Sequence, residues 1–336
     1  MTNPFSPPLD VPVPLAAHDS WPAADHLFDE ESILAVQTAL AISRPLLLRG
    51  EPGIGKSQLA RAVATVLDVP FLYHVVDERC ERDDLLYTYD AVARLAEAQV
   101  AALTAKDNGT DWRAELDECH FVRPGVLWWA FNWEEAARRA QTFHERLRRK
   151  WTPPRAPGDW PKNAGKRACG PVVLIDEIDK ADPSVPNGLL ECLGNEGFHT
   201  AQLGHSVRLA DGGKPPLIIL TTNEERELPS AFLRRCLVLH LRFPKVREEA
   251  VSFLVRRSLA LRKTTGLTES VCTQVAECIV ADRAEARSRT ALPGAAEYLE
   301  LLRALHRHAP RDEKAQLERL ERIKAFVLTK HDPVLG

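Results

Sequence analysis

The chain carries the stretch Gly50-Glu51-Pro52-Gly53-Ile54-Gly55-Lys56-Ser57 between an apolar, strand-like run and an amphipathic helical pattern that continues through Gln58. The stretch fits G-x-x-x-x-G-K-[ST] at every fixed position, in the strand–loop–helix context that this motif requires. Its glycines permit backbone angles that turn successive N–H groups towards phosphate oxygens at a helix N-terminus. We therefore predict that residues 50–58 bind a nucleotide, with Lys56 at the β- and γ-phosphates and Ser57 on Mg²⁺.

Length and composition are those of an ordinary globular protein. The 336 residues, 45% hydrophobic and 27% charged, suffice for a substantial core and about two domains. The net charge of -3 gives no overall electrostatic case for nucleic acid, and no apolar run reaches the roughly 18 residues of a membrane span. The first residues lack the basic and apolar regions of a signal peptide. Seven scattered cysteines without a C-x-x-C pair argue against disulfides and zinc, so we expect reduced thiols and a cytoplasmic protein.

A second group of polar residues follows a continuous apolar run. Residues 172–175 have the pattern of a strand buried on both faces, and Asp176 and Glu177 stand at its carboxyl end. Open α/β sheets bind ligands beyond the carboxyl ends of their strands. We therefore predict that Asp176 joins the Mg²⁺ shell through a water molecule, while Glu177 polarises the water that attacks the γ-phosphate.

The spacing of apolar residues predicts an α/β unit followed by an all-helical unit. Strands are expected at 45–48, 70–76, 170–175, 216–222 and 236–241, with helices at 31–42 and 56–67. Beyond Pro244 only helical periodicity remains, at 246–262, 268–286, 294–307 and 311–329. We therefore divide the chain into a proline-rich, extended arm at 1–25, a nucleotide-binding domain at 26–244 and a helical domain at 245–336.

A long insertion relative to a minimal nucleotide-binding core is expected at about 77–170. It contains helical patterns at 90–106 and 134–150, the aromatic segment Phe121–Trp129 and a proline-containing loop at 151–169. The basic residues of the second helix and the nearby tryptophans are compatible with a nucleic-acid surface. Interspersed glutamates dilute that charge, and tryptophans at such spacing are more often packing anchors, so binding of nucleic acid is not expected.

Residues after the next predicted strand extend the series of motifs. That strand ends at Asn223 and is followed by Leu228-Pro229-Ser230-Ala231-Phe232-Leu233-Arg234-Arg235. The order of phosphate loop, Asp-Glu strand, strand-terminal Asn and Leu-Pro-x-Ala-Phe-Leu-Arg-Arg resembles the AAA+ ATPases over about residues 26–330. Three further segments are similar to the MoxR-type group within them, namely 176–182, 186–191 and 83–86.

This resemblance implies a fold, an activity and an assembly. The fold is α/β, a P-loop AAA+ core of parallel sheet flanked by helices, followed by a small all-α lid. Asn223 would be the sensor that orients the attacking water, and Arg235, or alternatively Arg234, the finger that completes the site of a neighbouring subunit. A homo-oligomeric ring, expected to be a hexamer, would use ATP and Mg²⁺ in chaperone-like remodelling of a partner protein. In MoxR-type proteins that partner often carries a von Willebrand factor A domain.

Two features of the resemblance bear on function. Many AAA+ lids carry an arginine early in a lid helix, whereas the stretch 289–297 has Gly294 and Ala295 at the corresponding places. The missing arginine favours one alternative, a nucleotide-gated switch with little turnover, and a nucleic-acid motor or loader stays open as another. The resemblance also implies that Phe121–Trp129 and the hairpin around Phe198–Arg208 contact a client or partner protein.

Overall fold

The computed structural model describes residues 4–19, 21–104, 112–148, 150–200, 202–285 and 292–327. The strands are β1 Val13–Leu15, β2 Ala24–His26, β3 Leu46–Arg49, β4 Phe71–Val75, β5 Tyr87–Tyr89, β6 Val122–Pro124, β7 Val172–Asp176, β8 Gly197–Thr200, β9 His205–Arg208, β10 Leu217–Thr222 and β11 Leu237–His240. The helices are α1 Glu30–Ile42, α2 Lys56–Leu67, α3 Arg82–Leu86, α4 Ala91–Thr104, α5 Trp112–Glu115, α6 Val126–Phe131, α7 Trp133–Arg146, α8 Ser184–Gly194, α9 Ser230–Leu233, α10 Arg247–Arg257, α11 Leu259–Thr265, α12 Glu269–Glu285, α13 Ala295–His308 and α14 Glu313–Val327.

A five-stranded sheet with the order β11-β3-β10-β7-β4 forms the centre of the fold. Strand β7 pairs in parallel with β10 on one side and β4 on the other, with Val172 opposite Leu217 and Phe71. The predicted strands correspond to β3, β4, β7, β10 and β11, and helix α2 begins and ends where the sequence places it. Because β7 and β10 are buried on both faces, their apolar runs are continuous rather than alternating. The predicted α/β class with a helical C-terminal region is confirmed.

Two compact units make up the chain, and their boundaries interrupt the sequence several times. The first contains the described residues of Met1–Ser6, Leu34–Leu47 and Val63–Val238. The second contains those of Pro7–Ile33, Leu48–Ala62 and Leu239–Gly336. The nucleotide loop therefore groups with the C-terminal helices and the N-terminal arm, while Asp176, Glu177 and Asn223 belong to the first unit.

The core of the first unit includes the aromatic segment of the insertion. Phe121, Leu127 and Trp128 are inaccessible to solvent, and Trp129 is 6% exposed. Strand β6 pairs with β5, and the following helix α6 packs against the central sheet. The prediction that Phe121–Trp129 contacts a partner is therefore wrong for its large apolar side chains. These side chains are hydrophobic anchors, because burying a large aromatic ring removes more apolar surface from water than burying a smaller side chain does.

Four tryptophans of the insertion form a continuous aromatic cluster. Trp129 lies 5.1 Å from Trp133 and 6.1 Å from Trp151, and Trp133 lies 5.9 Å from Trp160, measured between ring centroids. Basic residues of α7 also turn inward: Arg146 forms ion pairs with Glu97 and Glu115 at 2.6 and 2.9 Å. Rings that pack against one another, two pairs edge-on and one pair stacked, and the ion-paired guanidinium of Arg146 fit the expected packing role.

In the second unit, helices α10–α14 surround an apolar core centred on Tyr298 and Leu301. The single helix predicted at 246–262 is wrong, because the chain forms α10 and α11 with a break at Ser258. Ser258 is fully buried, and both its N–H and its hydroxyl donate to the Val255 carbonyl, at 3.1 and 2.7 Å. Such a tight bond to the third preceding carbonyl ends a helix locally. The other predicted lid helices are present as α12, α13 and α14.

The N-terminal arm contains a short antiparallel ribbon in which β1 pairs with β2, Val13 standing opposite His26. Its proline content favours the extended backbone that the ribbon requires. The arm is anchored by Arg61 of α2, whose guanidinium donates to the carbonyls of Ala16 and Pro22 at 2.8 and 3.2 Å. No helix within the described residues has the length and apolar character needed to cross a bilayer.

Candidate nucleotide site

The loop between β3 and α2 has the backbone shape that its glycines predict. Gly50, Gly53 and Gly55 have backbone φ angles of 152°, 76° and 109°, which residues with a Cβ rarely adopt. A Cβ on Gly50 would lie 2.3 Å from the Leu241 carbonyl oxygen, since β11 passes directly beside the loop. The loop therefore needs glycine at position 50 for two reasons, backbone angle and space.

Lys56 lies buried at the first position of α2, with 7% of its surface exposed. Its ammonium donates to the carbonyl oxygens of Gly50 at 2.5 Å and Glu51 at 3.0 Å. The side chain thus folds back across the loop, so its charge and the positive end of the helix dipole act on the same small space. This arrangement favours an anion such as a phosphate group.

Gln58, the last residue assigned to the loop, faces the N-terminal arm. Its side-chain amide donates to the Asp25 carbonyl at 2.9 Å. This hydrogen bond fixes the arm beside the first turn of α2. The role of Gln58 in nucleotide binding stays a prediction. Nearby, Arg61 also stacks against Trp21, with its guanidinium carbon 5.2 Å from the ring centroid, and burial lowers the pKa of Arg61.

Residues of the C-terminal helices contact the loop within the second unit. A Cβ on Gly53 would lie 3.2 Å from the Cβ of Ala296 in α13. Arg283 of α12 forms an ion pair with Glu51 at 2.7 Å and donates to the Pro293 carbonyl at 2.8 Å. Sequence reasoning missed Arg283, because no motif links a lone arginine in a helical pattern to a distant loop. Gly294 and Ala295, which stand where many AAA+ lids carry an arginine, form the N-terminal end of α13, and residues 289–291 of the same stretch lie outside the described residues.

In the first unit, β7 delivers Asp176 and Glu177 at the carboxyl edge of the sheet. Thr221 at the end of the adjacent strand β10 donates its hydroxyl to Asp176 Oδ1 and accepts the Glu177 N–H at 2.9 Å. Thr221 is fully buried, so this single hydroxyl fixes both acidic residues. The sequence gives no signal for it beyond its place in the strand before Asn223.

The Glu177 carboxylate is held at both oxygens. The Asn223 side-chain amide donates to Oε1 at 2.9 Å, and the Lys180 ammonium donates to Oε2 at 2.7 Å. Glu177 itself has the left-handed angles φ 60° and ψ 46°, which are costly for a residue with a Cβ and recur at functional sites. The structure thus brings together two residues predicted to act jointly, Glu177 and Asn223, and adds Lys180, which sequence reasoning missed.

The hydrogen bond to Glu177 raises the pKa of Lys180, and the charges of Glu177, Glu225 and Asp179 add to that effect. Asp179 is 3% exposed and accepts the Glu225 N–H at 3.0 Å through Oδ2. Its other oxygen, Oδ1, has no hydrogen-bond partner in the described part of the chain. Lys180 is therefore fully charged near neutral pH and has several carboxylates within its reach.

Arg234 and Arg235 follow helix α9, where their N–H groups donate to Ser230 and Phe232 carbonyls at 3.1 and 3.0 Å. Both side chains are exposed, and neither guanidinium pairs with another of the residues that the structure describes. Phe232 of α9 is fully buried and fixes this turn. The two arginines are therefore displayed on the surface of the first unit.

The residues present are chemically suited to a nucleotide with Mg²⁺. The glycine loop and Lys56 are suited to phosphates, while the Ser57 hydroxyl and the Asp176 carboxylate are oxygen ligands of the kind Mg²⁺ takes. No group of three or more His, Cys, Asp or Glu side chains among the described residues is arranged to hold a metal. Mg²⁺ normally keeps several waters and binds one or two protein ligands plus phosphates, so a single hydroxyl or carboxylate of this kind is chemically suited to the ion.

The fold, the glycine loop and the Asp-Glu strand end define an AAA+ nucleotide-binding protein. The sequence profile of the AAA domain (dynein-related subfamily) matches residues 45–236, more than half of the chain, and the chain belongs to this family. The match supports nucleotide binding and ATP hydrolysis. The narrower similarity to the MoxR-type group stays a prediction.

Solved structures resemble this chain only distantly. A candidate ATPase from Cytophaga hutchinsonii is 16% identical with a TM-score of 0.36, over 89% of this chain and 80% of its own. The Holliday junction branch migration motor RuvB from Thermotoga maritima is 16% identical with a TM-score of 0.40, over 88% and 68%. NtrX from Brucella abortus is 12% identical with a TM-score of 0.43, over 85% and 52%. No curated protein matches the sequence.

Proposed function

We propose that this protein hydrolyses ATP with Mg²⁺ as one subunit of an AAA+ ring, and that hydrolysis drives remodelling or activation of a partner protein. The observation that carries the proposal is the hydrogen bond of 2.9 Å between Asn223 and Glu177, at the strand end that also presents Asp176. A carboxylate and an amide so paired are suited to position a water molecule for attack on phosphorus. Family membership and the glycine loop support the binding of a nucleotide.

The proposed roles follow from the chemistry of each side chain. The loop N–H groups and Lys56 would hold the phosphates, and Ser57 and Asp176 would hold Mg²⁺, which neutralises charge that develops on the phosphoryl oxygens. Glu177 would accept the proton of the attacking water while the bond between the γ-phosphorus and the bridging oxygen breaks, giving ADP and phosphate. Asn223 would orient Glu177 and the water.

Assembly into a ring, which we expect to be a homohexamer, is supported by the two displayed arginines. Arg235 and Arg234 are exposed and bind no described carboxylate, so each is available to a neighbouring subunit. A guanidinium that enters the adjacent site would stabilise charge on the transferring phosphoryl group, and an isolated subunit would then turn over poorly. Closed homo-oligomers of this kind require the same two surfaces on every subunit.

The proposed partner and compartment are supported by the family resemblance and by the cysteines. The similarity to the MoxR-type group supports a chaperone-like role with a protein that carries a von Willebrand factor A domain. The cysteines are free thiols, and burial raises the pKa of Cys169 and Cys236 to about 12, which makes these two unreactive. Free thiols of this kind support a reducing, cytoplasmic location.

The proposed activity is tested by measuring ATP turnover per subunit against protein concentration for the natural protein and for Glu177→Gln. We expect the rate per subunit to rise as the ring assembles and the substitution to abolish it. A rate that is absent, or that does not change with concentration, would contradict the ring ATPase. Strong stimulation by DNA or RNA with steep salt dependence would instead favour a nucleic-acid motor.

A further inference from the structure

The residue predicted to act as the base has no oxygen without a hydrogen-bond donor. Glu177 Oε1 accepts from Asn223 at 2.9 Å, and Oε2 accepts from Lys180 at 2.7 Å. A carboxylate can act as a base only through a lone pair directed at the water. The Lys180 ammonium takes one lone pair of Oε2 and neutralises the charge that would attract the proton, which makes the carboxylate a weaker base.

Local backbone geometry brings Lys180 to this position. The left-handed angles of Glu177 turn the chain into the short 3-10 helix Ile178–Lys180, and the Lys180 N–H donates to the Glu177 carbonyl at 3.0 Å. Arg226, from the segment after β10, donates to the Lys180 carbonyl at 3.3 Å and to Glu78 at 2.9 Å. The backbone of Lys180 is therefore tied to the segments that follow β4 and β10, while its side chain stays adjustable.

We propose that Lys180 restrains Glu177 in an inactive arrangement, and that its ammonium must leave Oε2 before Glu177 can take a proton from water. This inference rests on the proposed ATPase function and adds a regulatory contact to the same site. Lys180 acts through Glu177 and is a positioning residue. Asn223 keeps its hydrogen bond throughout, so only one of the two contacts on the carboxylate has to open.

Exposure and surroundings permit this opening. The Lys180 and Glu177 side chains are 35% and 29% exposed, so water can replace the ion pair at small cost. Glu225 and Asp179 both act electrostatically on Lys180, and Asp179 Oδ1 has no hydrogen-bond partner among the described residues. The ammonium thus has other carboxylates nearby when it leaves Glu177, and the restraint is weak enough to be reversible.

The experiment compares steady-state ATP hydrolysis of Lys180→Met with that of the natural protein, with assembly and thermal unfolding checked for each. Methionine keeps most of the length of the side chain and removes the charge. We expect kcat to rise about two- to fivefold, the range that loss of a partly exposed ion pair gives, while the KM for ATP stays unchanged. Lys180→Arg, which retains a cation, should behave like the natural protein.

Two controls separate this effect from a general loss of charge or stability. Lys324→Met removes another ion pair between residues three apart, Lys324 with Glu321, and should leave kcat unchanged. The double variant Glu177→Gln with Lys180→Met should be as inactive as Glu177→Gln alone, because the gain requires the carboxylate.

A kcat of Lys180→Met that is unchanged, or that falls in a folded and assembled protein, would overturn the inference. A rise that persists in the double variant would overturn it as well, because the effect would not pass through Glu177. If the natural protein shows no turnover above Glu177→Gln, the proposed function itself fails, which is a distinct result.

Discussion

At the residue scale, the sequence motif predicts the glycine loop well but says little about what supports it. Positive φ angles at Gly50, Gly53 and Gly55 follow directly from the residue type, because other residues rarely adopt them. The close approach of the Leu241 carbonyl to Gly50 does not follow, since it depends on a strand almost two hundred positions away in the sequence. This contact gives position 50 a structural role besides its predicted role in phosphate binding.

We predict that Gly50→Ala lowers the free energy of unfolding by about 2 kcal/mol or more, because a Cβ meets backbone at 2.3 Å and the φ angle of 152° is strained. Chemical denaturation followed by circular dichroism measures the change. Gly158→Ala is the matched control, because nothing lies within 4 Å of its added Cβ, and it should stay within about 0.5 kcal/mol. Equal stability of the two variants would contradict the structure around the loop.

The residues that hold Glu177 mark the limit of sequence reasoning at this scale. Asn223 stands in a recognisable order of motifs, so its position near Glu177 can be expected. Thr221 and Lys180 contact the same two acidic residues, yet a threonine within a strand and a lysine after an acidic turn are common. Only the left-handed backbone of Glu177 and the register of β10 with β7 bring them into place.

At the element scale, the five strands of the central sheet and most of the longer helices can be predicted because apolar periodicity reports directly on burial. The aromatic segment Phe121–Trp129 shows where this fails. Its composition suits either a binding surface or a core, and both uses place large apolar side chains together. The choice is made by the pairing of β6 with β5 and by the packing of α6 against the central sheet, which bury the segment.

We predict that Trp128→Ala costs about 3–5 kcal/mol of unfolding free energy, since it removes a fully buried ring from the core of the first unit. Leu103→Ala in the same insertion is the control, because Leu103 is 85% exposed and its loss should change stability by no more than about 0.5 kcal/mol. Denaturant midpoints of the two variants provide the test. A small effect of Trp128→Ala would mean that the segment is not a core element.

The ribbon strand β2 contributes a pH-dependent element. His26 is 8% exposed and packs edge-on against Phe28, with 4.7 Å between ring centroids. Burial, aided by the charge of Arg257, lowers the pKa of His26 to about 4, although Asp29 and a hydrogen bond with Gln58 act in the opposite direction. The folded protein therefore keeps this imidazole neutral where an unfolded chain would begin to protonate it.

Below the ordinary histidine pKa of about 6.5, the unfolded state binds more protons at His26 than the folded state. The neutral His26 imidazole thus makes its full contribution to the free energy of unfolding above that pH, and this contribution is lost as the pH falls towards 4. We predict that His26→Gln reduces the drop in unfolding free energy between pH 7 and pH 5 by about 2 kcal/mol. His308→Gln, at an exposed position, should leave the drop unchanged. Equal pH dependence in both variants would contradict the assigned environment.

At the scale of the whole molecule, the order of motifs along the chain predicts the class of protein but not its division into packed units. Periodicity changes at Pro244, which suggests a boundary there. Contacts instead group the nucleotide loop at Leu48–Ala62 with the C-terminal helices and the N-terminal arm. Interactions such as Arg283 with Glu51 produce this grouping, and they join residues that no local pattern connects.

We propose that Lys56, Ser57, Asp176 and Glu177 of one subunit act on a single Mg²⁺-ATP and that Arg235 of the next subunit completes the site. Mixing two inactive variants, Glu177→Gln and Arg235→Ala, tests it most directly. If the arginine acts between subunits, a mixed ring contains sites with both an intact glutamate and an intact arginine. Random assembly of an equal mixture then gives such a site about one time in four, so roughly a quarter of the natural ATPase rate should return. A mixture that stays as inactive as its separate components would contradict the account.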